Sequence, residues 1–323
     1  MQNPHLRIVF MGTPGLAAHV LQSIVEEGYT VVGVVTAPDR PSGRGRKIRF
    51  SAVKEYAISR GLPLLQPTNL KDPGFTGRLR EFRPDLQVVV AFRMLPAEVW
   101  SLPPLGTFNL HASLLPDYRG AAPINWVIIR GENETGVTTF LIDQQIDTGN
   151  ILYRKRIPLA LYETAGSLLE KVKTEGAGLV LLTIEAVAAG KVEPKNQDVY
   201  VSEPALLNKA PKIHKEDCRI RWDRPCREVV NLIHGLSPAP GAFCTLKDEQ
   251  GREFNLKLFE ARPEPEKHLH APGCLFTNNK SQIRFSTPDG YVRVLRLQLP
   301  GKKRMDTEEL LRGYRFHRAV PEP

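Results

Sequence analysis

The segment Asn109-Leu-His111-Ala-Ser-Leu-Leu-Pro116 carries the sharpest chemical signal in this 323-residue chain. A strand is predicted over Thr107–His111, and residues two apart on a strand share a face. Asn109 and His111 therefore project together, an amide donor beside a group that exchanges protons near neutral pH. Pro116 and the run Arg119-Gly-Ala-Ala-Pro-Ile124 then force irregular backbone that can wrap a ligand. A lone strand histidine is more often structural. The asparagine partner and the proline-bounded loop favour chemistry here. Further on, Asp143-Gln-Gln-Ile-Asp147-Thr-Gly149 follows a predicted strand over Val137–Ile142. Asp147-Thr-Gly149 can be a plain Asx turn, and as a single copy it lacks the second triplet of an aspartic protease pair. It also offers an acid to pair with His111.

A second candidate is the run Asp39-Arg-Pro-Ser-Gly-Arg-Gly-Arg-Lys-Ile-Arg49, where Arg40, Arg44, Arg46, Lys47 and Arg49 accompany one acid. That density exceeds what a solvated loop needs and suits phosphates, because Lys and Arg release counterions on meeting a nucleic-acid backbone. The turn Gly12-Thr-Pro-Gly15 could aim a helix N-terminus at an anion. It lacks one glycine of the dinucleotide fingerprint, and the second strand ends at Thr36-Ala37-Pro38 rather than at an acid, which argues against a nicotinamide site. A tight turn with modest anion affinity is the expectation. Cys218, Cys226, Cys244 and Cys274 show no two-residue spacing. Reduced core thiols are expected rather than a metal site, a disulfide framework or a catalytic thiol.

These residues need a scaffold. Short β-rich runs at Arg7–Met11, Thr30–Thr36, Leu62–Gln66, Asp85–Ala91 and Thr107–His111 alternate with helical stretches at Leu16–Glu27, Ser51–Arg60 and Phe75–Phe82. Helices are also predicted over Ala122–Arg130 and Thr164–Ala189. The alternation predicts an α/β domain over residues 1–190, a doubly wound, mainly parallel sheet with ligands at the carboxyl ends of its strands. Residues 191–211, polar and holding three prolines, read as a linker. Over 212–323 a helix at Arg224–His234 precedes short alternating runs divided by turns, the pattern of a small antiparallel barrel. A last helix at Thr307–Leu311 leads into a basic tail. The composition, 41% hydrophobic and 24% charged, is that of a globular chain. Neither a membrane-length apolar run nor a leader pattern is present, so a cytoplasmic location without a membrane partner is expected. The net charge of +9 falls mostly after residue 210 and suggests an acidic partner such as nucleic acid.

Taken together, Asn109-x-His111-x-Ser-Leu-Leu-Pro116, Arg119-Gly-Ala-Ala-Pro-Ile124 and Asp147-Thr-Gly149 resemble the 10-formyltetrahydrofolate-dependent formyltransferases. Met11-Gly-Thr-Pro14, the loop from Pro38-Asp-Arg-Pro41 through Gly43-Arg-Gly45, and Pro300-Gly-Lys-Lys303 extend the resemblance over both domains. They point to the branch that acts on methionyl-initiator tRNA. The resemblance implies a Rossmann-like formyltransferase domain followed by a small OB-like β-barrel domain that binds tRNA, acting in translation initiation. It implies Asn109, His111 and Asp147 as catalytic residues. The Asn109 amide and a protonated His111 would hold the oxyanion, and Asp147 would fix the His111 tautomer and accept the amine proton through water. Ser113, Leu114, Leu115 and Pro116 would line the folate side, and Arg40, Arg44, Arg46, Lys47 and Arg49 would bind tRNA. The co-substrate would be 10-formyltetrahydrofolate, with no metal or covalent nucleophile required, and the chain would be a monomer. Two segments depart from the family pattern near the expected folate pocket: Gln145 stands where the family usually has glycine, and Ala91-Phe92-Arg93 where it tends to have Ala-Tyr-Gly. The Asn/His/Asp set marks only the wider family and leaves a nucleotide-sugar amine or other small amine open as acceptor. The cationic loop favours RNA. A non-enzymatic RNA-binding protein would give Asn109, His111 and Asp147 no reason to meet.

Overall fold

The computed structural model describes residues 6–42, 47–201, 207–248, 250–316 and 320–321. The chain divides into two compact units. One comprises Met1–Gly120, Glu134–Pro158 and Leu169–Lys209, the other Ala121–Asn133, Leu159–Leu168 and Ala210–Pro323. The first elements are β1 (Arg7–Gly12), α1 (Gly15–Glu26), β2 (Thr30–Val35), β3 (Arg40–Ser42), β4 (Lys47–Arg49), α2 (Ala52–Ser59), β5 (Leu64–Leu65), α3 (Pro73–Glu81), β6 (Leu86–Val90) and α4 (Ala97–Trp100). There follow β7 (Thr107–His111), β8 (Arg119–Gly120), α5 (Pro123–Ile129), β9 (Glu134–Leu141), β10 (Ile151–Pro158), α6 (Ala165–Ala188), β11 (Lys209–Ala210) and α7 (Cys226–Gly235). The last are β12 (Ala242–Lys247), β13 (Glu253–Pro265), β14 (Leu275–Thr277), β15 (Ile283–Thr287), β16 (Gly290–Gln298), β17 (Met305–Asp306), α8 (Thr307–Leu311) and β18 (Val320–Pro321).

The first unit is built on a seven-stranded sheet ordered β10-β9-β7-β6-β1-β2-β5. The pairs among β5, β2, β1, β6 and β7 are parallel, whereas β9 runs antiparallel to both β7 and β10. The chain winds from β1 toward β5 and then from β6 toward β7, so the order reverses at the centre, the doubly wound arrangement. The inner strands are covered on both faces: Ile8, Val9, Phe10 and Met11 are fully buried, as is every residue of β6 or nearly so. Parallel strands flanked by helices need such continuous apolar runs. Side-chain caps set the helix starts, Ser51 accepting from the Lys54 N–H and Asp72 from the Gly74 N–H. β10 escaped the sequence pattern because Arg154, Lys155 and Arg156 break its apolar alternation, which an edge strand tolerates.

In the second unit a curled sheet is ordered β12-β13-β16-β15-β14-β18, with β17 on β16. All pairs but the parallel β14–β18 are antiparallel. Irregular register around Glu260 bends the long β13 across two neighbours, the local device that curls a sheet into a small barrel. The amphipathic α7 buries Val229, Val230 and Ile233 in the core with Phe285, Val292 and Leu297. Trp222 stacks on Phe285 with ring centroids 4.3 Å apart. The cysteines are free thiols, and burial pushes Cys226 up to about 11 and Cys244 up to about 12. Among the described residues no helix is long and apolar enough to cross a membrane, and no group of three or more His, Cys, Asp or Glu side chains could hold a metal ion.

Candidate active site

β7 lies one strand out from the β6–β1 pair at which the sheet order reverses, and its carboxyl end delivers Asn109 and His111 to one face. Asn109 is half-buried, and its amide makes no hydrogen bond among the described residues. It is thus free to donate to a ligand. His111 is 6% exposed. Its Nε2 lies 3.0 Å from the Tyr118 carbonyl oxygen, and its Nδ1 lies 3.8 Å from Asp147 Oδ2. The carbonyl fixes the tautomer: Nε2 carries the proton it donates, and Nδ1 turns toward the carboxylate. A separation of 3.8 Å is longer than a hydrogen bond. The ring is thus hydrogen-bonded to the Tyr118 carbonyl, and the Asp147 carboxylate stands within ion-pair distance of Nδ1. The meeting of the two side chains removes the chief argument for a non-enzymatic RNA-binding protein.

Asp147 is held from three directions. Its Oδ2 accepts the Gly120 N–H at 3.1 Å. Its own backbone sits at φ +57, a region uncommon for side-chain-bearing residues that aspartate tolerates best. Gly149 is required two residues on, because a Cβ there would stand 1.7 Å from the Leu141 carbonyl oxygen. The third constraint is Gln197, 1% exposed. Its amide nitrogen donates to the carbonyls of Asp147 and Gly149, each at 2.9 Å, and its Oε1 accepts the Arg119 guanidinium through Nε at 3.1 Å and Nη2 at 2.6 Å.

The loop after β7 is equally fixed. Ser113 Oγ donates to the Asp117 carbonyl, while Thr138 Oγ1 donates to the Ser113 carbonyl and accepts the Leu115 N–H. Ser113 and Leu115 are fully buried and Pro116 is buried, so of the four folate-side residues only Leu114 keeps part of its side chain at the surface. Leu114 reaches over Gly136, where a Cβ would come within 2.4 Å of it. The departures from the family pattern also find places. Arg93 donates to the carbonyls of Pro67 and Thr68. Gln145 is exposed, its N–H on Asp143 Oδ1.

Within the cationic run β3 and β4 pair antiparallel, Arg40 with Arg49 and Ser42 with Lys47. Arg49 is exposed. Only the backbone of Arg40 and Lys47 is described, and Arg44 and Arg46 lie outside the described residues. The base of this strand pair is anchored by Asp39, which pairs with Lys54 at 2.5 Å and accepts from Gln66 at 2.9 Å. The Lys54 hydrogen bond holds the Asp39 carboxyl below the usual carboxylate range.

Residues 6–184 match the family model described as Formyl transferase, and residues 212–315 the one described as Formyl transferase, C-terminal domain. The methionyl-tRNA formyltransferase of Bacteroides fragilis is 51% identical over 99% of this chain and 98% of its own. That of Bacteroides thetaiotaomicron is 50% identical over 98% of each. The chain belongs to the methionyl-tRNA formyltransferase family. Among solved structures, HypX from Aquifex aeolicus in complex with tetrahydrofolic acid superposes with a TM-score of 0.62 at 21% identity, over 98% of this chain and 49% of that one. This chain thus spans about half the length of HypX. The sugar 3N-formyltransferase WlaRD superposes at 0.63 with 17% identity, over 92% of this chain and 99% of its own. At such identities these two likenesses speak to fold alone.

For a formyltransferase, the residues that sequence reasoning missed are Gln197, Arg119 and the Tyr118 backbone. Gln197 lies in a polar, proline-containing stretch where nothing announces burial. Arg119 opens a motif visible in the sequence, but its role emerges only once Gln197 is placed against it. Tyr118 acts through its carbonyl, which no side-chain pattern marks.

Proposed function

We propose that this chain transfers the formyl group of 10-formyltetrahydrofolate to the α-amino group of methionyl-initiator tRNA, the step that prepares it for translation initiation. The observation that carries the chemistry is the convergence of an unpartnered Asn109 amide, the His111 ring and the Asp147 carboxylate at the end of β7. Likeness of about half identity along the whole chain supports the acceptor.

The neutral amine attacks the formyl carbon, and the carbonyl oxygen becomes an oxyanion. The Asn109 amide donates to it, and a protonated His111, its Nε2–H already given to the Tyr118 carbonyl, donates to it through Nδ1–H. Losing one such donor typically costs roughly 2.7–4 kcal/mol of transition-state stabilisation. Asp147 accepts the proton that the amine sheds, through a water, and the bond from the formyl carbon to N10 breaks as N10 takes up a proton. Bonds and charge balance: one C–N bond forms, one breaks, and one proton passes from the acceptor amine to N10. In this reading the segment Ser113–Pro116 borders the folate, with Leu114 the side chain that reaches it and the buried three holding the loop. Arg40, Arg44, Arg46, Lys47 and Arg49 contact the acceptor stem, and the C-terminal unit adds contacts to the RNA backbone. The protein works in the cytoplasm as a monomer.

The test offers purified protein labelled 10-formyltetrahydrofolate with methionyl-tRNA and amino-sugar nucleotides in competition. Label on methionyl-tRNA is expected. Label on the sugar amine would overturn the acceptor assignment.

A further inference from the structure

A cavity of about 450 Å³ opens in the first unit beside β10, between Leu114 and the segment 191–200. Among the described residues four cations line it, Arg154, Arg156, Lys191 and Lys195, against one acid, Glu193. It lies on the catalytic face. His111 pairs with Thr138 and Thr138 with Arg154, so the three form one row across β7, β9 and β10. Directly paired residues point to the same side, and at about 4.8 Å per strand the Arg154 backbone lies roughly 10 Å from that of His111. The opposite side belongs to α6, where Thr183 bonds Thr139 and Glu175 pairs with Lys155.

Arg154 is the telling residue. Its guanidinium lies 4.4 Å over the Tyr200 ring. It makes no hydrogen bond or ion pair among the described residues, and its Nε is buried without a partner. The nearby Glu134 carboxylate is taken by Arg156. Arg154 is half-buried, and a charge withdrawn from water is ordinarily paired. An anion from outside the chain would match it. Lys191 and Lys195 are exposed and, among the described residues, also lack an acidic partner.

We propose that this pocket binds phosphates of a single-stranded RNA end, and, resting on the function proposed above, the unpaired end of the tRNA substrate. Cations spread along a groove, with an aromatic ring on which a base or guanidinium can stack, are the make-up of single-strand sites. A lone carboxylate would be served by Arg154 alone. The same short segment carries Gln197, whose amide grips the Asp147 turn. RNA held by Lys195 and Tyr200 thus bears on the stretch of chain that positions the catalytic acid.

The experiment uses the full chain and two RNA hairpins, one ending in a four-nucleotide single-stranded 3′ overhang and one blunt. Arg154→Gln and the double variant Lys191→Gln/Lys195→Gln are compared with wild type over a salt series. For the overhang hairpin each variant is expected to weaken binding roughly tenfold and to lower the slope of log affinity against log salt by about one for each phosphate no longer neutralised. The blunt hairpin and the KM for 10-formyltetrahydrofolate are expected to be unchanged. The two lysines are exposed, so the double variant carries the test if Arg154→Gln folds poorly. Unaltered affinity and slope would overturn the site. Equal weakening with both hairpins would reduce it to general surface charge. A raised folate KM with unaltered RNA binding would make its ligand the folate carboxylates. Normal discrimination between the hairpins by a wild-type protein that does not formylate methionyl-tRNA would leave this site standing and remove the proposed function instead.

Discussion

Replacing Gln197 by alanine strips the Asp147 turn of its clamp. Two carbonyls, those of Asp147 and Gly149, each lose a donor at 2.9 Å, and the Arg119 fork loses its acceptor. A buried polar group left unmatched costs about 1–3 kcal/mol. Water entering the gap recovers part of this, leaving about 2–3 kcal/mol that no longer holds Asp147 at φ +57. At about 1.4 kcal/mol per tenfold, kcat for formyl transfer should fall roughly 30- to 140-fold. Gln197 is buried with its amide given over to protein partners, so the KM for methionyl-tRNA and for 10-formyltetrahydrofolate should stay within about threefold. Gln197→Glu keeps an acceptor for Arg119 but removes both donors to the turn, so kcat should drop comparably, with Tm lowered by the two unmatched carbonyls. Steady-state formyl transfer and thermal melts on the same preparations give both readouts. A Gln197→Glu enzyme with wild-type kcat would refute the idea that this clamp sets the position of the acid.

Asp147→Asn preserves shape and can still accept the Gly120 N–H, but it removes the charge 3.8 Å from His111 Nδ1. Its kcat should fall about 10²–10⁴-fold, with the tRNA Kd by fluorescence anisotropy unaltered. Retained turnover would take Asp147 out of the chemistry. Elsewhere, burial pulls the His234 imidazole down to about 4 from an ordinary 6.5, with Arg262 adding to the effect. On acidification the unfolded chain therefore binds the proton first. Stability should be intact above about pH 6.5 and be lost as pH falls toward 4, by about 3 kcal/mol. His234→Gln, which can still accept the Ala261 N–H, should melt with a flatter pH dependence over that window; parallel curves would contradict this.

What the sequence disclosed follows from where local pattern carries the information. Strands such as β1, whose Ile8–Met11 stretch is fully buried, show themselves as unbroken apolar runs, and Ser51 and Asp72 mark helix starts through their own side chains. The i, i+2 relation of Asn109 and His111 needs only a strand, so their shared face was legible before any fold. Asp147 could be named from its turn, but its distance from His111 depends on how β9 registers against β7, which no local pattern sets. β10 was missed because three successive cations disguise an edge strand. Residues 191–211 look like a tether by composition, yet 191–201 and 207–209 belong to the first unit and Gln197 is buried. Burial of a polar side chain is decided by the partners that meet it, here the carbonyls of a turn about fifty residues earlier.

The central claim, that side chains at the end of β7 stabilise a short-lived negative charge, is tested most directly by the single-turnover rate of Asn109→Ala beside wild type, with both substrates saturating. The Asn109 amide has no structural partner to lose among the described residues, so the variant should fold and bind methionyl-tRNA normally. Its rate should fall about 10²–10³-fold, the typical effect of deleting one oxyanion donor. A rate within a few-fold of wild type would contradict the account.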